Sequence, residues 1–185
     1  MKTFKARLLK MKNLLILFII MYLIRTFVYF KLFPGLEIKQ EKALVPIVGA
    51  LVFLKKITTN KIAASYVVFG ILFIVSSIAT VLFGEQMKAI LAQGMDTYAR
   101  VHGSLPPYHT LLYISKAILI ISSIGLTITR FIVCGDVQKA FGRLEMEKWM
   151  MFLLPPVGYL GLVTHDFKYY GNPYEEGFID FSIEI

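Results

Sequence analysis

The chain of 185 residues is 57% hydrophobic and 17% charged, with a mean hydropathy of +0.67, a formal net charge of +8 and a single cysteine. Soluble domains carry about 45–50% apolar and about 25% charged residues, so the composition excludes a disordered chain and points to the membrane class. Cys134 alone excludes an internal disulfide framework or a cysteine-rich metal site, and the basic residues flank apolar runs instead of forming a nucleic-acid motif.

A helix needs about 20 apolar residues to cross a bilayer. The first apolar run follows Lys2, Lys5, Arg7, Lys10 and Lys12 and stops at Pro34-Gly35. It offers no small-x-small cleavage site, so it reads as an uncleaved anchor over about residues 13–33. The second run, residues 43–54, reaches only about 18 Å and is interrupted by Pro46 and Gly49. The third and fourth runs, about 62–83 and 111–134, are each long enough to span. Between them, 84–110 reads as an outer amphipathic segment with Met87, Ile90, Leu91, Met95 and Tyr98 at helical spacing. A fifth run, 149–163, is short and is broken by Pro155, Pro156 and Gly158. Residues 172–185 end the chain as an acidic, aromatic tail suited to docking on the protein's own outer surface. The expected fold is an all-α polytopic membrane bundle with three full transmembrane helices and two short Pro/Gly-broken segments, residues 1–171 forming one membrane domain.

Lysine and arginine counts orient such a chain. With all five runs crossing from a cytoplasmic N-terminus, inner segments 1–12, 55–61 and 135–148 carry eleven, and outer segments carry five. If the two short runs only touch a membrane surface, the count falls to seven inside against nine outside. A layout with an outer N-terminus, the second run on the cytoplasmic surface and the fifth spanning gives eight on each side. The first and last of these layouts put 55–61 and 135–148 inside, and the 84–110 loop and the acidic tail outside.

The two broken runs echo each other. Leu44-Val-Pro-Ile-Val-Gly-Ala-Leu51 and Leu153-Leu-Pro-Pro-Val-Gly-Tyr-Leu160 share leucine, proline, valine, glycine and leucine in register. Matched Pro/Gly-interrupted segments mark transporter sites in some folds, and they are also ordinary helix-bending devices. Gly70, Ser77, Thr80, Ser123 and Thr127 give the long runs a small-residue face for close helix packing.

Chemistry-bearing residues are few. Arg25 lies near the middle of the first run, where a bare charge costs at least about 2.5–3.5 kcal/mol. Carbonyls, hydroxyls, water or snorkelling would satisfy it, or it serves as an intramembrane functional charge. His102, His109 and His165 are weak metal candidates whose spacing matches no ligand motif, so solvated loop histidines are the better reading. Lys139, Phe141 and Arg143, with Lys55 and Lys56, form a cytoplasmic set suited to anionic headgroups or a partner. No HExxH, phosphate-cradling glycine loop or intramembrane carboxylate pair is present, so neither catalysis nor a cofactor is expected.

The strings Ala43–Ile57, Asp136-Val-Gln-Lys-Ala-Phe-Gly-Arg143, Phe152-Leu-Leu-Pro-Pro156 and His165-Asp-Phe-Lys-Tyr-Tyr-Gly171 resemble a family. It is the bacterial polytopic membrane domain of unknown function that stands alone or precedes the catalytic domain of some type I signal peptidases. Its Lys-x-Phe-Gly, Leu-Pro and Lys-Tyr-x-Gly pattern falls on Lys139, Phe141, Gly142, Pro155, Lys168, Tyr169 and Gly171. The tyrosine and asparagine of its Ile-Pro-Ile segment are replaced here by Val48 and Gly49. The resemblance implies a multi-pass protein of the bacterial inner or plasma membrane linked to export or envelope assembly. The expected role is a non-enzymatic accessory or scaffold subunit. It would contact the lipid bilayer, anionic headgroups and another membrane protein or a second copy. The alternative is a transporter or channel subunit that uses the broken segments and Arg25.

Overall fold

The computed structural model describes residue 16 and residues 19–94, 107–164 and 168–180. Among them the regular structure is entirely helical. Helix α1 covers residues 19–32, and the 3-10 turns Pro34–Leu36 and Gln40–Leu44 follow it. Then come α2 (Pro46–Ile57), α3 (Asn60–Gln93), α4 (Pro107–Ala140), α5 (Glu145–Leu153) and α6 (Pro155–Thr164). The residues fall into two compact units, one made of the chain up to Ala63 and from Phe131 onward, the other of Ala64–Arg130.

The Ala64–Arg130 unit is an antiparallel pair of helices. Phe83 and Tyr108 meet near one end at 6.4 Å between ring centres, Thr80 Oγ1 donates to Ser115 Oγ at 3.1 Å, and Phe69 lies across Gly125 near the other. A side chain on Gly125 would run into the Phe69 ring at 2.6 Å, so glycine sets how closely the helices approach. Hydroxyls along the pair turn back to their own helix: Ser76 and Ser77 donate to Phe73 O, Ser122 to Leu119 O and Thr129 to Gly125 O. That satisfies polar groups without water. The outer surface is apolar, and among the described residues Ile74, Val75, Val81, Ile120, Ile121 and Ile124 are all exposed. Among the described residues, helices α3 and α4 are the two that are long and apolar enough to cross a membrane, and only 6% of the most apolar stretch of α3 is buried. A soluble core helix would have hidden that stretch.

Both long helices outrun the expected spans. α3 does not stop at Phe83; Glu85–Gln93 extends the same helix instead of starting a separate surface segment. Gly84 alone does not break it, and the end comes at Gly94, in the left-handed region at φ 88°. Met95 and Tyr98 lie outside the described residues. α4 continues past Cys134 to Ala140 and closes with Gly142 at φ 56°. Gly142 N–H donates to Lys139 O and Arg143 N–H to Gln138 O, the paired bonds of a Schellman cap. The Lys139-Ala-Phe-Gly142 string is thus, first of all, a helix terminator.

The other unit has a core of its own. Leu32, Phe33, Leu36, Phe53, Ile57, Val133, Val137 and Met151 are fully buried, and Tyr29 stacks on Phe33 and tilts against Phe53. After α1 the chain doubles back along it: Gln40 Nε2 donates to Phe30 O, and Tyr22 OH donates to Leu44 O at 2.7 Å. α2 then runs in the same direction as α1, bringing Phe53 to Tyr29. Beyond α4, α5 folds back along it. Lys148 passes Gly135, and Trp149 and Phe152 reach Phe131.

Candidate functional site

Residues 168–180 have no regular structure, so their backbone groups need partners elsewhere. They find them at the ends of α2 and α4. Tyr169 OH donates to Lys56 O at 2.6 Å, Tyr170 N–H to Ala140 O at 2.8 Å, and Asn172 Nδ2 to Thr58 O at 3.4 Å. Tyr174 OH donates to Asp136 Oδ1 at 3.1 Å, and Lys139 Nζ stands 3.6 Å from Asp180 Oδ2. Thr58, itself buried, touches the Asp136 carboxylate but meets no hydrogen-bond geometry with it. Phe141 packs on Tyr169 with ring centres 5.7 Å apart.

This clasp shapes the tyrosines it uses. Burial, and then the charge of Glu175, pushes Tyr169 up to about 12. Burial also raises Tyr174, followed by the Asp136 charge and the hydrogen bond to it. Both phenols therefore stay neutral donors at physiological pH.

The clasp corrects the expected sidedness. Charge counting separated the acidic tail from 55–61 and 135–148, yet residues 169–180 hydrogen-bond or pair with Lys56, Thr58, Asp136, Lys139 and Ala140. The count assumed that run 149–163 crosses. Instead it is divided at Leu154 into α5 and α6, which pack against each other.

The broken segments are also not broken where expected. Pro46 and Pro155 each occupy the first position of a helix, where a missing N–H costs nothing, after the non-helical residues Val45 and Leu154. Pro156 follows as the second residue of α6, and helices α2 and α6 continue straight through Gly49 and Gly158. Those glycines permit close approach. A Cβ on Gly49 would lie 2.7 Å from Lys42 O, and one on Gly158 would lie 2.5 Å from the Met151 Cα and N. In both copies the contacted backbone is seven residues earlier. The residues around each proline, Leu44, Val45, Ile47 and Val48 in one copy and Leu153, Leu154 and Val157 in the other, are exposed.

The other singled-out residues scatter. The Arg25 guanidinium lies 5.2 Å from the Tyr29 ring centre, half-buried in α1. Lys55 and Lys56 are exposed at the end of α2. Arg143 points inward to Glu147 at 3.6 Å and to Leu162 O at 3.4 Å, so it braces α5 and α6 instead of facing lipid. The Lys148 Nζ sits 4.5 Å from the Phe131 ring centre and 5.9 Å from that of Trp149. His109 lies tilted against Tyr113, His102 and His165 lie outside the described residues, and no group of three metal-ligating side chains occurs among the described ones. Thr58, Asp136, Asn172 and Tyr174 were not among the expected site residues. The tail's aromatic content was the one available signal.

The chain matches no protein-family model, no curated protein and no solved structure. Its geometry must therefore carry the functional reading.

Proposed function

We propose that the protein is a small, non-enzymatic multi-pass membrane protein that serves as an accessory or scaffold subunit of a membrane complex. The observation that carries this is the α3–α4 hairpin. Residues 62–84 hold no charged side chain, and among the described residues Ile71, Ile74, Val75, Ile78, Val81 and Leu82 stand exposed. Lipid, or another helix within lipid, is the medium that makes such a surface stable. A shallow apolar groove of about 370 Å³ between Phe73, Ser77, Leu119, Ile120, Ser123 and Ile124 supports a helix partner. So does Gly70, beside which a side chain would find open space.

The hairpin flanks 55–61 and 135–148 carry six lysines and arginines against two in 84–110, which supports a cytoplasmic position for the clasp. With the first run crossing as a third span, the N-terminus is then outside, and nine basic residues lie inside against seven outside. The resemblance to the domain associated with signal peptidases supports a bacterial inner or plasma membrane setting close to export.

Mild-detergent purification followed by mass spectrometry tests the scaffold role. A stoichiometric membrane partner or a defined homo-oligomer is expected; a lone monodisperse monomer overturns it. Alkaline carbonate extraction tests the membrane reading itself, which predicts that the protein stays in the pellet.

A further inference from the structure

We infer that the two Leu-x-Pro-x-Val-Gly turns are one device used twice. Each is a re-entrant tip that dips into the acyl chains of the clasp-side leaflet and leaves on the side it entered. The inference rests on the membrane reading above and adds a depth and a sidedness to it.

The first support is their shared build: a non-helical residue, a proline opening the helix, and a glycine seated on backbone seven residues earlier. The second is hydrogen-bond accounting. A helix N-terminus leaves its first four N–H groups without helical partners, and hydrocarbon offers none. In α6, Pro155 and Pro156 carry no N–H, and Val157 and Gly158 both donate to Leu154 O at 3.0 Å. No donor in that first turn is left over. In α2, Pro46 removes one donor and Gly49 N–H to Val45 O at 2.8 Å is the first ordinary helical bond, so the full accounting belongs to α6.

The third support is reach. From Phe33 back to Tyr22, where Leu44 is tied, α1 spans about 16 Å, and the nine residues of α5 span about 14 Å. Each falls short of half a bilayer of about 40–45 Å counted with its headgroup regions. The fourth is the rim. Lys148 and Trp149 stand on Phe131 part-way along α5, and Lys55 and Lys56 end α2, an arrangement of amphipathic anchors at headgroup depth. The clasp ties the ends of α2 and α4 to the same tail, so both tips hang from one side.

The full chain, carrying Cys134→Ala, is reconstituted in vesicles of phosphatidylcholine and phosphatidylglycerol with single cysteines at Val45, Leu154, Glu145, Glu176 and Ile74. An impermeant maleimide should label Glu145→Cys and Glu176→Cys from the same side. Val45→Cys and Leu154→Cys should react at least about tenfold more slowly, as buried in hydrocarbon. Labelling of Glu145→Cys and Glu176→Cys from opposite sides overturns re-entrance, because α5–α6 then crosses. Fast labelling of both tips with Ile74→Cys protected overturns it while leaving the membrane reading intact. Fast labelling of Ile74→Cys removes both. Trp149, the chain's one tryptophan, gives a check without any substitution. Its fluorescence should be quenched by lipids brominated near the headgroup, and quenching by aqueous acrylamide alone overturns the placement.

Discussion

The two units are made of similar apolar residues used in opposite ways. In the Ala64–Arg130 hairpin, Ile74 is 59% exposed and Ile121 64%, whereas Phe53 and Leu32 in the other unit are 1% and 0% exposed. One unit buries a core of apolar side chains against itself and exposes others at its proline turns; the hairpin, among the described residues, leaves most of its own exposed. Hydrophobicity in a sequence therefore announces that water must be avoided, and not by which means.

The largest expected effect tests the self-buried unit. Phe53→Ala removes a ring packed on Tyr29 and should cost about 3–5 kcal/mol of stability, read by thermal unfolding in detergent. Ile74→Ala should be close to neutral in the same assay, because lipid and detergent tails replace the lost contacts. Equal losses would mean that the outer hairpin face is a protein core after all. Next comes a charge in the hairpin. Ile78→Asp lies on that exposed face and should cost about 2.5–3.5 kcal/mol of insertion, seen as a fall in the carbonate-resistant fraction. In a soluble protein, an exposed isoleucine replaced by aspartate would change little or improve solubility.

What was legible follows the same division. The long runs at 62–83 and 111–134 announce themselves because an uncharged stretch of that length has few other uses. Their ends were not legible. Charge at Glu85 and Lys88 suggested a separate surface helix, and at Asp136 and Lys139 an inner loop, yet such residues are ordinary in a helix that continues beyond the apolar zone. The in-register match of the two proline segments was readable. The function of their glycines was not, since close approach to Lys42 O or the Met151 backbone is a tertiary fact. The clasp was the least readable part. Its partners, Lys56, Thr58 and Asp136, lie some 40 to 115 positions from the tail residues that bind them. Charge counting cannot see a tail that returns.

Glycine substitutions probe the smaller differences. Gly158→Ala forces a methyl onto Met151 backbone and should destabilise by about 1–3 kcal/mol, and Gly49→Ala behaves likewise against Lys42 O. Gly161→Ala and Gly70→Ala meet nothing within contact distance and should be neutral or stabilising by up to about 1 kcal/mol. Thermal midpoints of the four variants should fall into those two pairs. A uniform response would remove the close-packing role assigned to the turns.

The smallest effect belongs to Tyr169, and in the wild-type chain it is confined to alkaline conditions. Its phenol is pushed up to about 12 by burial and then by Glu175, above the ordinary value of 10. A group whose pKa is raised on folding contributes fully below its unfolded value, and that contribution is lost as the pH climbs through the folded one. The tail should therefore hold at neutral pH and loosen between about 10 and 12, as the ionised phenol can no longer donate to Lys56 O. A fluorophore on Glu176→Cys should report that release together with the tyrosinate absorbance. Tyr169→Phe should loosen the tail already at neutral pH and erase this part of the alkaline step. If the wild-type step instead comes at the ordinary tyrosine value, the tail lies in water. The shared side assigned to the ends of α2 and α4 then loses the tie from Tyr169 to Lys56.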